Sequence, residues 1–329
     1  MEKPFQRIHL FDTAVATDNV GDEIIVDACR RELAPVLDNA YVTTSSSHDG
    51  LGPVGRKLAA SADVVFMLGT NALSQKRAKL FRPYKWHVSR ADLDAVAGKV
   101  VLVGVGAAKS FERVQPAQQR FLHKLLSAGH RHSVRDDSAL KIIEACGLQG
   151  INTSCPTLWR WRNDRPAIST KPDSVCFTLT KHKPDAESDR KMIEVLAESY
   201  ETMWFWPQQP RDLGYLSELG GTGIRIVPPN LKAYDALLAT GVDVVGTRLH
   251  GTIRGLQHGC HAVVIGIDNR AAEISADVGL QMVARQDVPD QLVSVLSERR
   301  PPRLRIDGAA ITDFLGQFNA SLPQTSDIK

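Results

Sequence analysis

The sequence predicts two doubly wound α/β domains, each built on a parallel sheet with helices on both faces. Short apolar runs rich in β-branched residues alternate with amphipathic segments of helical period along both halves of the chain. Such alternation implies parallel strands that are joined by helices. The chain has 329 residues, which is enough for two ordinary domains. The stretch 159–172 interrupts the alternation with charges, two tryptophans and prolines, and we predict the domain boundary there.

The first domain, assigned to residues 1–165, opens with a strand at 8–11. A helix follows that starts at Asn19-Val20-Gly21-Asp22 and ends near Pro35. Neither GxGxxG nor GxxxxGK[ST] follows the strand, so a nucleotide cradle of those two types is not supported. In order, we then predict a loop at 43–50, the end of a short helix at 58–62, strands at 63–68 and 99–103, a helix at 118–127, a strand at 132–134, a helix at 139–146 that Gly147 ends, and a last strand at 151–157.

The second domain, assigned to residues 173–300, repeats the same alternation. Its predicted strands are 175–179, 203–206, 224–227, 242–246 and 261–267, and its predicted helices are 189–196, 211–219, 232–238, 249–256 and 288–299. Gly259 is the expected stop of the helix at 249–256. Residues 301–329 are assigned to a C-terminal helix, at 311–318, that packs against the first half, and a frayed tail.

The composition excludes several functional classes. Hydrophobic residues make up 43% and charged residues 23%, as in ordinary globular proteins. A net charge of +3 and 6% aromatic residues argue against a nucleic-acid partner. Residues 1–4 begin no apolar signal segment, and no run approaches the roughly 18 consecutive apolar residues of a transmembrane segment.

The cysteines and histidines predict a reducing compartment and no metal site. The five cysteines are scattered, odd in number and form no CxxC pair, which is typical of a cytoplasmic protein without a disulfide framework. None of the ten histidines has the spacing of a metal-ligand motif. We interpret the pairs His130/His132 and His258/His261 as isolated histidines rather than metal ligands.

The segment from Gly246 to Gly251 is the strongest candidate for a functional site. It joins a predicted buried strand directly to a helix, which places Arg248 and His250 beside the unpaired N–H groups of the first helical turn. That end of a helix favours anions. An arginine can bind a carboxylate or a phosphate through two hydrogen bonds, and a histidine can transfer a proton. We therefore predict an anion-binding, catalytic corner, in which Thr247 is interpreted as a helix cap.

A second junction of this kind, Arg135-Asp136-Asp137-Ser138, follows the strand at 132–134. Two interpretations of Arg135 stay open, since it can pair with Asp136 or Asp137 and hold the turn, or it can bind a ligand. Two interpretations also stay open for Gly104-Val105-Gly106, whose glycines permit either a tight turn or a close approach of the backbone to a ligand.

Three polar clusters lie at the carboxyl ends of predicted strands, where ligands bind in open parallel sheets. They are residues 19–22, 135–138 and 248–250. We expect them to converge on one anion site.

The same clusters, in this order, resemble the polysaccharide pyruvyltransferase family, whose members transfer pyruvate from phosphoenolpyruvate to sugar hydroxyls. The similarity spans roughly residues 8–275 and rests on NxGD at 19–22, Met67-Leu68-Gly69, RDxS at 135–138, RLHG at 248–251, Gly259-Cys260 and a strand that ends in Asp268. The chain departs from the family at Gly69-Thr70-Asn71, where members often have a run of glycines. It departs again at Asn269 and Arg270, where many members have a lysine.

The resemblance implies a fold like that of the GT-B glycosyltransferases, with two Rossmann-like domains that face a cleft, the first on the acceptor side and the second on the donor side. It implies that Arg135 and Arg248 hold the phosphate and carboxylate of phosphoenolpyruvate and that His250 lies at the reacting centre. Asp22 is a candidate base for the acceptor hydroxyl, with helix capping as the alternative. The further substrate-binding residues that it implies are Asn19, Gly21, Ser138 and Leu249.

The implied donor is phosphoenolpyruvate as a substrate, with no cofactor and no metal. The implied acceptor is a sugar or a lipid-linked oligosaccharide of a surface polysaccharide, modified in the cytoplasm with peripheral association with the polysaccharide assembly machinery. Loops 43–55 and 70–90 are expected to contact it. Trp86, Trp159 and Trp161 are interpreted as packing residues, with sugar stacking as the alternative. Two other functions remain open, a GT-B glycosyltransferase that uses a nucleotide sugar and a non-catalytic anion-binding protein of the same fold.

Overall fold

A computed structural model describes residues 5–74, 86–107, 113–267, 275 and 277–319, which form two compact units. Unit 1 comprises the described residues of 1–17, 25–162 and 307–329, and unit 2 those of 18–24 and 163–306. Several predicted features lie outside the described residues: the N-terminus at 1–4, positions 75–85 of the acceptor loop, Asp268 with Asn269 and Arg270, and the tail at 323–329.

Unit 1 alternates strands and helices, as predicted. Its elements up to residue 162 are β1 Gln6–Asp12, α1 Val20–Glu32 (whose first turn belongs to unit 2), α2 Ala34–Leu37, β2 Ala40–Ser46, α3 Pro53–Ala60, β3 Val64–Leu68, α4 Arg90–Val96, β4 Val100–Val103, α5 Pro116–Leu125, β5 His132–Val134, α6 Asp137–Ala145, β6 Gly150–Asn152 and a 3₁₀ helix at Pro156–Trp161.

The main sheet of unit 1 is parallel, with the strand order β2-β1-β3-β4. Its direction of winding reverses between β1 and β3, which is the switch point where ligands bind in this topology. Every residue of β3 and β4 is buried, as expected for a sheet covered on both faces. β5 and β6 pair with each other, and a bridge from Val134 to Val105 connects β5 to the segment after β4.

Two predictions for unit 1 are wrong. Residues 43–46 belong to β2 rather than to a loop, because the backbone of this polar segment pairs with β1 at the edge of the sheet. The polar side chains contribute, since the ring of His9 hydrogen-bonds the Thr43 hydroxyl at 2.8 Å. The strand predicted at 151–157 ends at Asn152, because Ser154 takes a left-handed φ of 61° and a 3₁₀ helix follows. α4 was not predicted.

Unit 2 continues the alternation. Its elements are β7 Ser174–Thr178, α7 Ala186–Ser199, β8 Thr202–Phe205, α8 Pro210–Leu219, β9 Arg225–Ile226, α9 Leu231–Leu238, β10 Asp243–Gly246, α10 Leu249–Gln257, β11 Ala262–Gly266, β12 Met282–Ala284, a 3₁₀ helix at Arg285–Asp287 and α11 Val288–Glu298. Gly259 ends the turn after α10 with a left-handed φ of 79°, as predicted. β12 was not predicted.

The sheet of unit 2 is parallel, with the strand order β12-β11-β10-β7-β8-β9. This is the Rossmann order, and its switch point lies between β7 and β10. The two strands meet closely at their carboxyl ends, since a Cβ atom on Gly246 would lie 2.1 Å from the Thr178 hydroxyl oxygen. The prediction of two Rossmann-like α/β domains is confirmed.

The last helix, α12 (Gly308–Asn319), belongs to unit 1. Its Phe318 ring packs against Phe66 of β3 at 5.0 Å, and its Phe314 ring against Trp159 at 6.0 Å. Trp159 is fully buried and donates its indole N–H to the Thr153 carbonyl at 2.7 Å, so it is a packing residue. Within the described residues, no helix is both long enough and apolar enough to cross a membrane.

Acid should destabilise unit 1 through His132. The buried ring accepts a hydrogen bond from the Leu102 N–H at Nδ1 and bonds the Ser127 carbonyl through Nε2. Burial lowers the pKa of His132 from 6.5 to about 4. Because the unfolded chain binds this proton first, the contribution is complete above about pH 6.5 and is lost as the pH falls towards 4, at about 1.4 kcal/mol per pH unit.

We expect the free energy of unfolding to fall by about 2 kcal/mol from pH 7 to pH 5 through this residue alone. Urea unfolding of the wild type and of His132→Gln at both pH values checks this. Between pH 7 and pH 5, the free energy of unfolding should fall by about 2 kcal/mol less in the variant than in the wild type. An unchanged pH dependence in the variant would show that another group is responsible.

Candidate functional site

The loops that follow β7 and β10 are joined at the switch point of unit 2. The Thr247 hydroxyl lies 2.8 Å from the Thr180 hydroxyl, and the Thr247 N–H donates to the Thr178 carbonyl at 3.2 Å. The N–H of Arg248, which directly precedes α10, donates to the Thr178 hydroxyl at 3.2 Å. The predicted capping role of Thr247 is therefore wrong, because its side chain connects the two loops instead.

Arg248 is held by a buried carboxylate. Its Nε donates to Asp212 Oδ2 at 3.0 Å and to the Leu179 carbonyl at 3.1 Å, and Nη2 also bonds Asp212. Nη2 donates further to Gln209 Oε1 at 2.9 Å. The side chains of Arg248 and Asp212 are only 7% and 0% exposed. The positive charge of Arg248 is thus compensated within unit 2.

Asp212 connects three segments around this pair. Besides Arg248, it accepts hydrogen bonds from the backbone N–H groups of Gln209, at 3.1 Å, and Lys181, at 3.2 Å. The first of these bonds belongs to a capping box that starts α8. Sequence reasoning missed Asp212. The spacing Gln209-Pro210-Arg211-Asp212 directly after a strand is the signal that could have indicated it.

The surroundings of Arg248 are positively charged. Exposed His182 and Lys183 follow β7, and exposed Arg211 lies in the first turn of α8. Partial desolvation of the ring is the largest cause that lowers the pKa of His182, and the charges of Arg248 and Arg211 lower it further, although Asp212 acts in the opposite direction. Lys183 and Arg211 therefore place positive charge near the loop after β7, which favours an anion.

Leu249 and His250 are the first two residues of α10, and both are partly buried. The next position is tightly packed, because a Cβ atom on Gly251 would lie 3.1 Å from the Trp206 ring and 3.2 Å from Gln208 Oε1. The Gly251 carbonyl accepts a hydrogen bond from the Tyr234 hydroxyl at 2.9 Å. These contacts fix the start of α10, and with it the backbone of His250.

The 19–22 motif lies in unit 2 and meets the same Gln208. The Gln208 amide nitrogen donates to Asn19 Oδ1 at 2.9 Å, and the Gln208 carbonyl accepts from the Val20 N–H at 3.1 Å. A Cβ atom on Gly21 would lie 2.4 Å from that amide nitrogen. Gln208, which sequence reasoning missed, therefore lies between the predicted motifs at 19–22 and 248–251.

Asp22 is in the first turn of α1 and is 3% exposed. Its Oδ2 accepts from the Asn19 side-chain amide at 3.1 Å, while Asn19 Oδ1 accepts from the Gly21 N–H at 3.2 Å. Asn19 therefore bonds the open N–H groups at the start of α1, and Asp22 supports Asn19.

Arg135 and Ser138 lie in unit 1, at the end of β5 and in the first turn of α6. The Arg135 Nη2 donates to Asn71 Oδ1, whereas Nε and Nη1 are buried and make no hydrogen bond with the described part of the chain. Buried donors of this kind are rare and costly unless a ligand satisfies them. Arg135 is the strongest anion-binding candidate of unit 1.

The pairing of Arg135 with Asp136 or Asp137 is wrong. The Asp136 carboxylate instead caps α6 by accepting from the Ala139 N–H at 2.8 Å, and it accepts from the Ala107 N–H at 3.1 Å. Asp137 accepts from the Asn152 side chain at 2.9 Å. Asp136 Oδ2 would also lie 2.8 Å from a Cβ atom on Gly106, but among the described residues neither carboxylate hydrogen-bonds Arg135 Nε or Nη1.

The two glycines at 104–106 serve different purposes. Gly104 has a left-handed φ of 60°, which a tight turn requires. A Cβ atom on Gly106 would lie 2.5 Å from Arg135 Nε and 2.6 Å from Asn71 Oδ1. Gly106 is therefore the place where the backbone must approach the Arg135–Asn71 pair closely.

The histidines of the pair His258/His261 have partners within unit 2. His258 lies 3.1 Å from Asp235, and His261 lies 2.9 Å from Gln281. Across the described residues, no three His, Cys, Asp or Glu side chains are grouped so that they could hold a metal ion.

Two parallel α/β units of Rossmann-like topology, with polar residues at the carboxyl ends of their strands, define the class of this protein. The family model for polysaccharide pyruvyl transferase matches residues 19–269, which is most of the chain. The chain therefore belongs to the polysaccharide pyruvyl transferase family, and the resemblance seen in the sequence is confirmed. No curated protein sequence matches it.

Solved structures with the same fold are distant in sequence. The UDP-GlcNAc 2-epimerase from Methanocaldococcus jannaschii has a TM-score of 0.53 and 12% identity, with 95% of this chain and 99% of that chain covered. MnaA from S. aureus, solved with UDP, has a TM-score of 0.51 and 10% identity, with 92% and 93% covered. At such identities, the similarity shows the fold alone.

Proposed function

We propose that this protein transfers the pyruvate unit of phosphoenolpyruvate to two hydroxyls of one sugar, forming a ketal and releasing phosphate. The sugar belongs to a surface polysaccharide or to its precursor. Membership of the polysaccharide pyruvyl transferase family supports the class of reaction. The observation that carries the donor assignment is the guanidinium of Arg135, whose Nε and Nη1 are buried and have no hydrogen-bond partner among the described residues.

The proposed chemistry balances without a redox step. A proton adds to the methylene carbon of phosphoenolpyruvate, and the first sugar hydroxyl oxygen bonds to the neighbouring carbon. The bond from that carbon to the phosphate oxygen then breaks, and its electron pair leaves with the phosphate. The second hydroxyl oxygen takes the vacated place. Of the two hydroxyl protons, one replaces the proton given to the methylene carbon and the other leaves with phosphate.

In this proposal Arg135 and Arg248 bind the anionic groups of the donor, in different ways. Arg135 has a neutral partner in Asn71 and keeps its full charge. Arg248 is paired with Asp212, so it contributes oriented donors, while exposed Arg211 adds positive charge.

His250 is proposed to move the proton at the reacting carbon. Asp22 is the candidate base for the acceptor hydroxyl, although its bond to Asn19 also supports a purely structural role. The remaining substrate-binding assignments are Asn19, Gly21, Ser138 and Leu249.

The proposal also includes the reaction partners and the place of the reaction. Phosphoenolpyruvate is the donor substrate, a sugar or a lipid-linked oligosaccharide is the acceptor, and no resident cofactor takes part. We place the reaction in the cytoplasm, at the periphery of the polysaccharide assembly machinery.

Arg135→Ala should weaken the binding of phosphoenolpyruvate by about 10- to 100-fold, the size expected for losing charge-assisted hydrogen bonds. Thermal stability measured with and without phosphoenolpyruvate checks this. The wild type should be stabilised by about 2.7 kcal/mol when the donor is at 100 times its Kd. The matched control is Arg120→Ala, which removes an exposed arginine from α5.

The same assay separates the other two functions. Stabilisation of the wild type by UDP, with no response to phosphoenolpyruvate, would favour a transferase that uses a nucleotide sugar. Binding of phosphoenolpyruvate without phosphate release against any sugar acceptor would favour a non-catalytic protein. An Arg135→Ala variant that responds like Arg120→Ala would contradict the donor assignment.

A further inference from the structure

The two arginines of the candidate motifs are held in opposite ways. Arg248 bonds the carboxylate of Asp212, which compensates its charge. Arg135 bonds the side-chain carbonyl of Asn71, which is neutral. An amide oxygen fixes the orientation of a guanidinium as a carboxylate does, but it brings no negative charge. The choice of amide or carboxylate therefore decides which arginine still attracts an anion.

The remaining donors of Arg135 support this distinction. Nε and Nη1 are buried without a hydrogen-bond partner among the described residues. Within the same part of the chain, the neighbouring carboxylates of Asp136 and Asp137 are engaged with backbone and side-chain N–H groups. A guanidinium in this state has both the charge and the open donors that an anionic oxygen requires.

The loop after β3 holds Asn71 in place by an unusual backbone. Gly69 and Thr70 both have left-handed φ angles, of 57° and 58°. A β-branched residue such as Thr70 rarely adopts this conformation, which is strained and is retained where the surroundings require it. Thr70 is buried, and its carbonyl accepts from the Gly106 N–H at 2.8 Å. The strained turn is thereby joined to the glycine that Arg135 approaches.

We propose that Asn71 is a positioning residue for donor recognition, which orients Arg135 while leaving its charge uncompensated. This inference rests on the proposed function. With Asn71 as its partner, Arg135 is oriented by a neutral amide oxygen and keeps its positive charge for a ligand. It selects a ligand with an anionic oxygen, of the kind that the carboxylate or phosphate of phosphoenolpyruvate provides.

The test compares Asn71→Asp with Asn71→Ala. The aspartate variant gives Arg135 the kind of partner that Arg248 has. We expect its KM for phosphoenolpyruvate to rise by about 10- to 100-fold while kcat stays within a few-fold. Its melting temperature without ligand should rise, because a buried charge gains a counter-charge. The alanine variant should also have a raised KM, from lost orientation, but a melting temperature that is lower rather than higher.

The opposite changes in melting temperature of the two variants distinguish a positioning role of Asn71 from a merely structural one. A structural asparagine would lose stability and affinity together in both variants. Asn230→Asp is the matched control, because it adds the same charge at an exposed N-cap of α9 where an aspartate caps equally well. It should leave KM and the melting temperature unchanged.

Inorganic phosphate, used as a second probe in thermal shifts, distinguishes a failure of the proposed function from a failure of the role assigned to Asn71. A wild type that responds to phosphate but not to phosphoenolpyruvate would overturn the proposed function. Asn71 would still be supported if Asn71→Asp then lost the phosphate response. An aspartate variant that binds either anion as tightly as the wild type overturns the inference about Asn71. A wild type that binds neither anion overturns both.

Discussion

Replacing Asp212 by alanine is expected to lower the free energy of unfolding by about 3–5 kcal/mol, because it leaves the guanidinium of Arg248 buried without a counter-charge. The same change removes the capping box of α8 and the acceptor of the Lys181 N–H. Urea and thermal unfolding followed by circular dichroism measure the effect.

Two comparisons isolate the buried pair. Asp94→Ala breaks an exposed ion pair with Lys124 at 2.9 Å and should cost about 0–1 kcal/mol. The double variant Asp212→Leu/Arg248→Met should be destabilised less than Asp212→Ala, because no unpaired charge remains buried. If Asp212→Ala were no more harmful than Asp94→Ala, the pair would not be what holds the loops at the ends of β7 and β10.

His250→Ala should lower kcat for phosphate release by about 10²–10⁴-fold, the usual contribution of a proton-transfer group, with a much smaller change in the KM for phosphoenolpyruvate. The position of His250 gives the reason. It lies in the first turn of α10, directly after the carboxyl end of β10 at the switch point of unit 2. Steady-state kinetics with the donor and a sugar acceptor, from pH 5 to pH 9, give both constants.

His258→Ala is the matched control on the same helix. His258 follows the last turn of α10 and pairs with Asp235, so its loss should leave kcat unchanged. The pH dependence of kcat should lose one ionisation in His250→Ala and keep it in His258→Ala. A His250→Ala variant with wild-type kcat would assign the proton transfer to another residue.

The features predictable from the sequence are those carried by local pattern. Strands such as β3 and β4 are short apolar runs, and the buried helix faces repeat at helical spacing, so both can be recognised without a partner. The polar motifs can also be recognised from the sequence, because each follows a predicted strand. The polar strand β2 escaped recognition because its stability comes from the backbone of β1, which local composition does not reveal.

The partners of the site residues could not be predicted, because they are distant in sequence. Asp212 and Arg248 are 36 positions apart, and Asn71 and Arg135 are 64 apart. Only the strand order brings them together. For this reason the sequence leaves two interpretations of Arg135 open, and it does not reveal that Thr180 is the neighbour that binds the Thr247 hydroxyl.

The return of the chain to unit 1 affects how this protein is made on the ribosome. Phe314 and Phe318 of α12 complete a core that the described residues of 1–17 and 25–162 begin, but residues 163–306 are synthesised in between. At ordinary translation rates that interval lasts roughly 10–30 s. During this interval, α12 does not yet cover the aromatic surface around Phe66 and Trp159. We therefore expect chaperones that shield apolar surface to bind the nascent first unit.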